Sequence, residues 1–120
     1  SVDYQIKMKI NKREFLDSLD RATLLIKDSD KKPIRLSIDD RTLGLKISSL
    51  IGSLNEEIDI EKEGNNLVIG FNPKLIIDAL RVIDDENVTI YFNNTKSPCV
   101  IKDDAETYIY LILPMGINEE

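Results

Sequence analysis

The sequence predicts an α+β domain in which a strand-helix-strand-strand-strand unit occurs twice, with two helices packed on antiparallel sheets. Three observations predict it. Two segments carry apolar residues at helical spacing, and each follows an apolar residue and an asparagine. Most of the remaining chain alternates apolar with polar residues, the period of a half-buried strand. The two halves also align at one constant offset through cap, stripe and an exposed aspartate.

Gln5 to Ile10 sets Ile6, Met8 and Ile10 on one face and Gln5, Lys7 and Lys9 on the other, a half-buried strand. Asn11 then caps a helix predicted from Lys12 to about Leu25, because its side-chain oxygen accepts from a free first-turn N–H. Glu14 completes a capping-box-like pair. Phe15, Leu16, Leu19 and Ala22 form the apolar stripe, with Thr23 at its edge. Asp28 to Lys32 is a polar turn. Ile34, Leu36 and Ile38, then Leu43, Leu45 and Ile47, alternate on either side of Asp39-Asp40-Arg41 and predict a hairpin. Ser48 to Asn55, with Gly52 inside it, reads as a looser connection. Glu57 to Glu61 is the next strand, with Ile58 and Ile60 inward.

The second half follows the Gly64-Asn65-Asn66 turn. Leu67 to Phe71 is a strand. Asn72 precedes Pro73, which suits the first helical position because its missing N–H costs nothing there. Leu75 to Ile83 is helical. Val88 to Phe92, Cys99 to Ile101 and Thr107 to Leu113 are strands, with a turn at Asn93-Asn94. Pro114 and Gly116 end the last one. Asn118, Glu119 and Glu120 read as a solvated tail.

Laid over one another, Ile10-Asn11 matches Phe71-Asn72, and Phe15-Leu16-Asp17-Ser18-Leu19 matches Ile76-Ile77-Asp78-Ala79-Leu80. The repeats span approximately 4–63 and 66–115. Neither unit buries its apolar face alone, so the pair forms one domain over residues 1–120. That length supports one core. An apolar fraction of 42% excludes wholesale disorder. No apolar run approaches the ~20 residues that span a bilayer. The chain opens on Ser1 and not on Met, so we expect a piece of a longer protein. Cys99 is the single cysteine, which admits no intramolecular disulfide and fits a reducing compartment such as the cytosol.

Much chemistry is missing. The chain has no His, so the commonest general base and zinc ligand is absent. One Cys makes no zinc cluster, and no Gly-rich phosphate loop opens a helix. Ser and Thr have no imidazole to activate them. Asp39-Asp40, Glu56-Glu57, Asp84-Asp85 and Asp103-Asp104 are solvated turn or edge acids, or else carboxylates of a metal site. We expect no catalytic residue, no metal and no cofactor.

Two features remain. Lys12, Arg13 and Arg21 lie off the stripe of the first helix, and Lys74 and Arg81 off that of the second. Arg13–Asp17–Arg21 and Lys74–Asp78 are spaced for i,i+4 pairing. This is either a solvated helix face or a weakly basic surface for a phosphate backbone, despite a net charge of −6. Neither helix face carries an aromatic on which bases would stack. Second, Glu57-Ile58-Asp59-Ile60-Glu61 is apolar on one face and acidic on the other. Its counterpart, Tyr108-Ile109-Tyr110-Leu111-Ile112-Leu113, is apolar on both. With Tyr110 and Ile112 inward, Ile109, Leu111 and Leu113 point out. Such a patch marks a binding site or a surface covered by a second layer.

Ile69-Gly70-Phe71-Asn72-Pro73-Lys74, Ile76-Ile77-Asp78-Ala79-Leu80, the Ser97-Pro98 turn and Tyr110-Leu111-Ile112-Leu113-Pro114-Met115 resemble the third domain of the bacterial DNA sliding clamp, the beta subunit of DNA polymerase III. Phe15-Leu16-Asp17-Ser18-Leu19-Asp20-Arg21-Ala22 resembles that domain's first helix. The resemblance covers nearly the whole chain. It implies the DNA clamp fold, one domain of three, and two chains closing head to tail into a ring. Helices then line a hole around duplex DNA held without sequence preference. It implies a cytoplasmic, nucleoid-associated processivity factor for DNA replication, an accessory subunit that catalyses nothing and docks short peptides of DNA polymerases and of the clamp loader.

Carried over by position, the peptide pocket falls on Asn72, Leu75, Pro98, Leu111, Leu113 and Met115, with Leu75 standing where the family frequently has Tyr. The DNA-facing positions are Lys12, Arg13, Arg21, Lys74 and Arg81. The contact with the second chain uses Leu24 and Leu25 and an edge strand bearing Glu57, Asp59 and Glu61. Two other readings stand beside this one. The first is a free-standing interaction domain of the same fold that binds protein and not DNA. The second is a metal-dependent hydrolase using turn carboxylates.

Overall fold

A computed structural model describes residues 4–26 and 32–117. The expected turn at Asp28 to Lys32, apart from Lys32 itself, and the expected tail from Asn118 to Glu120 lie outside the described residues.

The elements are β1 (Ile6–Asn11), α1 (Lys12–Thr23), β2 (Ile34–Ile38), β3 (Thr42–Ser49) and β4 (Gly52–Gly64), then β5 (Leu67–Phe71), α2 (Pro73–Arg81), β6 (Asn87–Phe92), β7 (Cys99–Lys102) and β8 (Ile109–Ile112). This is strand-helix-strand-strand-strand twice over, as the pattern predicts.

Both helices start for the predicted reason. Asn11 sits in extended backbone, and its Oδ1 accepts from the Glu14 N–H at 2.9 Å. Asn72 repeats the arrangement, accepting from the Lys74 N–H at 3.0 Å with Pro73 in the first turn. Each cap satisfies a donor that the helix itself leaves open. The helices end a little earlier than their spacing predicts. Leu24 N–H donates to the Arg21 carbonyl at 3.2 Å, and Val82 N–H to the Ala79 carbonyl at 3.4 Å. These shorter-range bonds tighten and close the last turns.

All strand pairings are antiparallel, in the order β5-β2-β3-β4-β1-β6-β7-β8. The first strand of each unit therefore pairs with the other unit: β1 with β6, and β5 with β2. This exchange makes one core out of two halves. Apolar residues of both helices and the inner sheet faces fill it, with Phe15, Phe71, Phe92 and Met8 at 2% exposure or less. Phe71 and Phe92 meet edge to face, with ring centroids 6.3 Å apart. Burying such a side chain stabilises the fold by roughly 1.5–3 kcal/mol. On the outer face, Lys7–Glu63 (3.9 Å) and Lys9–Glu61 (3.7 Å) pair across β1 and β4. Exposed pairs of this kind contribute little.

One expectation needs correction. The predicted loose connection from Ser48 to Asn55 is a hairpin. β3 runs to Ser49 and β4 starts at Gly52, so only Leu50 and Ile51 turn the chain. The Ser, Gly and Asn residues there read as loop chemistry, while the ladder to β3 continues through them. β4 stands inside the full strand order, yet each of its stretches pairs on one side only. It is long enough to change partners: Gly52 to Asp59 pair with β3, and Ile60 to Gly64 with β1. Glu57 and Asp59 lie in the first stretch and Glu61 in the second.

The halves also close differently. β1 and β4 share a ladder from Ile10↔Ile60 to Ile6↔Gly64. The equivalent seam between β5 and the end of β8 is a single bridge, Gly70↔Met115, where Met115 N–H donates to the Gly70 carbonyl at 2.8 Å. A Cβ on Gly70 would lie 2.8 Å from the Met115 carbonyl oxygen and would collide with Ile117. Only glycine lets the chain cross there.

Candidate functional site

The two helices lie against each other, and Arg81 of α2 reaches Asp20 of α1 at 3.4 Å. At the constant offset of the repeat, Lys12 to Asp20 of α1 have counterparts on α2, and Arg21 corresponds to Val82, the C-cap of α2. Glu14, Asp17, Ser18 and Arg21 correspond to Leu75, Asp78, Ala79 and Val82. These two sets of residues lie on the same side of their helices, and the molecule treats them oppositely.

On α1 that side is sealed by polar contacts. Ser18, fully buried, donates from Oγ to Glu56 Oε1 at 2.7 Å. Arg21 donates from Nε to Glu56 Oε2 and from Nη2 to Oε1, both at 2.7 Å. The Arg21 hydrogen bonds, with Ser18 adding to them, hold the Glu56 carboxyl below its ordinary range, and Glu56 raises the Arg21 guanidinium. Glu56 faces inward because β4 alternates Leu54, Glu56, Ile58 and Ile60 onto its inner side.

On α2 the same side is open and apolar. Leu75, Asp78, Ala79 and Val82 form one wall of a groove of about 550 Å³, and Tyr110, Leu111, Ile112 and Leu113 form the other. Leu75, Val82, Leu111 and Leu113 are 47%, 64%, 66% and 67% exposed. The alternation along β8 is as predicted: Ile112 is buried, while Ile109, Leu111 and Leu113 point outward. Just before β8 the Tyr108 hydroxyl donates to Asp85 at 3.0 Å. Burial, with that carboxylate beside it, pushes the phenol up to about 12.

Of the six positions assigned to the peptide pocket, the structure brings Leu75, Leu111 and Leu113 together in this groove. Asn72 is spent as the helix cap. Pro98 stands before β7 and Met115 bridges to Gly70, and neither lines the groove. Val82, Ala79, Asp78, Tyr110 and Ile112 line it in addition, outside the six positions assigned to the pocket. Val82 continues the Leu75–Ala79 line by one further turn, a legible signal. Glu56 was grouped with the solvated acids. Extending the alternation back from Ile58 to Leu54 would have placed it inward.

The basic residues of the helix face are largely engaged. Arg13 pairs with Asp17 at 3.7 Å, as the spacing predicts. Arg21 turns to Glu56 instead of forming the expected pair with Asp17, because two charge-assisted bonds to one carboxylate outweigh a single exposed i,i+4 pair. Arg81 is held by Asp20, and Lys12 Nζ donates to the Ile83 carbonyl. Lys74 is engaged as well. The expected Lys74–Asp78 pair is not formed, since Asp78 has no polar partner among the described residues.

At the far end of α1, Leu24 is 77% exposed and Leu25 is partly buried against the core. Glu57, Asp59 and Glu61 are exposed on the outer face of β4. Cys99 is buried, which pushes its thiol up to about 12. Among the described residues there is no cluster of three or more His, Cys, Asp or Glu able to hold a metal, and no helix is long and apolar enough to cross a membrane.

Comparison with known proteins assigns the family. The model of the DNA polymerase III beta subunit, C-terminal domain, matches residues 2–116. The beta sliding clamp of Staphylococcus aureus is 39% identical over 118 residues, covering 94% of this chain and 31% of that protein. A crystal structure described as a DNA polymerase III beta subunit of Eubacterium rectale superposes with a TM-score of 0.94 at 60% identity, over 96% of this chain and 31% of its own. The DNA polymerase sliding clamp of Bacillus subtilis gives 0.92 at 30% identity, over 98% and 32%. The chain thus spans about a third of the length of the relatives it matches. With two capped helices on a curled antiparallel sheet, and with the family's model matched from residue 2 to residue 116, the chain belongs to the DNA polymerase III beta subunit family and represents its C-terminal domain.

Proposed function

We propose that this domain serves as the C-terminal part of a beta sliding clamp, a non-catalytic processivity factor in DNA replication. It docks short apolar peptides of DNA polymerases and of the clamp loader between α2 and β8. The observation that carries the reading is the groove. Four large apolar side chains stand exposed on its two walls, whereas the equivalent side of α1 is closed by Ser18, Arg21 and Glu56. A contiguous exposed apolar patch of this kind supports a binding surface. Family membership supports partners of this kind. No observation favours a free-standing interaction domain over this reading.

The ring is the second part of the proposal. A second chain meets this domain head to tail at Leu24, Leu25 and the outer face of β4 around Glu57, Asp59 and Glu61. Lys12, Arg13, Arg21, Lys74 and Arg81 face duplex DNA. Since Arg13, Arg21 and Arg81 already have carboxylate partners, their pull on a phosphate backbone is weak. Contact of this kind is sequence-independent and falls steeply with salt. It suits a ring that slides, in the cytoplasm on the nucleoid.

The test is a fluorescence-anisotropy titration with a short Gln- and Leu-rich clamp-binding peptide, run on the native chain and on Leu113→Asp. Leu113 is exposed, so the variant keeps its fold, which circular dichroism checks. Burying a carboxylate against the ligand's apolar side chains weakens binding at least tenfold. Equal affinity for the two chains would remove the groove from the proposal.

A further inference from the structure

We infer that the ligand of the α2–β8 groove carries a basic residue, Lys or Arg, beside its apolar ones, and that Asp78 receives it. This rests on the reading of the groove as a peptide site and adds the charge of the peptide to it. Among the described residues, Asp78 is the single charged one lining the groove. It is exposed and has no polar partner among the described residues.

The first unit shows what is missing. Asp17, the counterpart of Asp78, stands between two cations. Arg13 lies 3.7 Å away, and Arg21, one turn further on, is itself raised in part by the Asp17 charge. In the second unit the counterpart of Arg13 is Lys74, still a cation, and the counterpart of Arg21 is Val82. The carboxylate has been kept and the cation after it replaced by an apolar groove wall. A basic side chain of a ligand lying in the groove next to Val82 stands one turn from Asp78, as Arg21 stands one turn from Asp17, and is free to pair with it. The surroundings favour the same sign. Asp84, Asp85 and Glu86 follow Val82 and are exposed, and Arg81 is turned away to Asp20. Apolar walls around Asp78 exclude water on binding and strengthen the attraction relative to an open surface pair.

The experiment uses three labelled peptides that share one apolar core and differ at a single flanking residue: Lys, Gln or Glu. Each is titrated into the native chain and into Asp78→Asn, at low and at high salt. The Lys peptide is expected to bind the native chain about threefold tighter than the Gln peptide, the scale of one partly exposed ion pair. The Glu peptide is expected to bind more weakly than either. The Lys advantage should disappear in Asp78→Asn and shrink at high salt, while the Gln peptide binds both chains alike. Equal binding of the Lys and Gln peptides to the native chain would overturn the inference and leave the groove intact as a peptide site. A Lys advantage that survives Asp78→Asn would overturn it equally. If none of the three peptides binds, the reading of the groove falls and the inference with it.

Discussion

Arg21 and Val82 stand at the same step beyond their capping asparagines, Asn11 and Asn72, yet one closes the surface beside it and the other opens it. Arg21 is bound through two hydrogen bonds to Glu56, and Val82 is an exposed wall of the groove. The fold needs neither arrangement in particular, since both helices bury the same stripe. In the proposed reading, function in this domain resides where the two units have diverged.

If Val82 matters as the absence of a polar seal, putting the seal's cation back should close the site. Val82→Arg places a guanidinium at the groove wall, one turn from Asp78. Peptide affinity should fall at least tenfold, since seating an apolar ligand then means desolvating a charge. The thermal midpoint should move by only a few degrees, because Val82 is 64% exposed. Anisotropy and a melting curve on one preparation separate the two effects.

The Ser18–Arg21–Glu56 cluster predicts a pH dependence. Arg21 chiefly, and Ser18 with it, lower the Glu56 pKa in the folded state. A depressed carboxylate contributes stability above its unfolded pKa, and that contribution is lost as pH falls through the folded pKa. Glu56→Gln should therefore melt at a lower temperature than the native chain at neutral pH. The gap should narrow once the pH drops below the ordinary carboxylate range, where both chains carry a neutral group. A gap that stayed constant down to acid pH would mean the site is held by packing alone.

Truncating either capping side chain should cost about 1 kcal/mol, the usual value for losing an N-cap hydrogen bond. Asn11→Ala and Asn72→Ala should each show it as a shift of the denaturant midpoint with an unchanged slope. Asn72→Ala should also weaken peptide binding modestly, since α2 carries one wall of the groove.

Gly70→Val tests the crossing of the chain after β8. Its side chain would displace Met115 and Ile117, and overpacking of this sort costs roughly 1–3 kcal/mol. Because Leu113 precedes that crossing by two residues, the variant should lose peptide affinity as well as stability. Unchanged urea denaturation would show that the crossing is not fixed by Gly70.

Much of this architecture is legible in the residues themselves. Asn11 and Asn72 before apolar stripes announce the helices, and the alternation from Ile109 to Leu113 announces a strand with an exposed apolar side. What local pattern does not carry is pairing across distance. Glu56 belongs to Arg21 and Ser18 only because β4 passes beside α1, so a residue that reads as a solvated acid becomes the centre of a buried-edge cluster. The stretch from Ser48 to Asn55 reads as loop because its residue types suit turns, and its strand character comes from the ladder with β3. Asp78 reads as a partner for Lys74, and the structure shows it without one among the described residues.

The most direct measurement is a residue-by-residue map of peptide binding on the isotopically labelled chain by heteronuclear NMR. As the Leu-rich peptide is added, backbone signals of Leu75, Val82, Leu111 and Leu113 should shift progressively. Those of Ser18, Arg21 and Glu56, at the equivalent place in the first unit, should stay where they are. Shifts centred on α1 and β4, or spread evenly over both units, would contradict the claim that divergence of the second unit created the site.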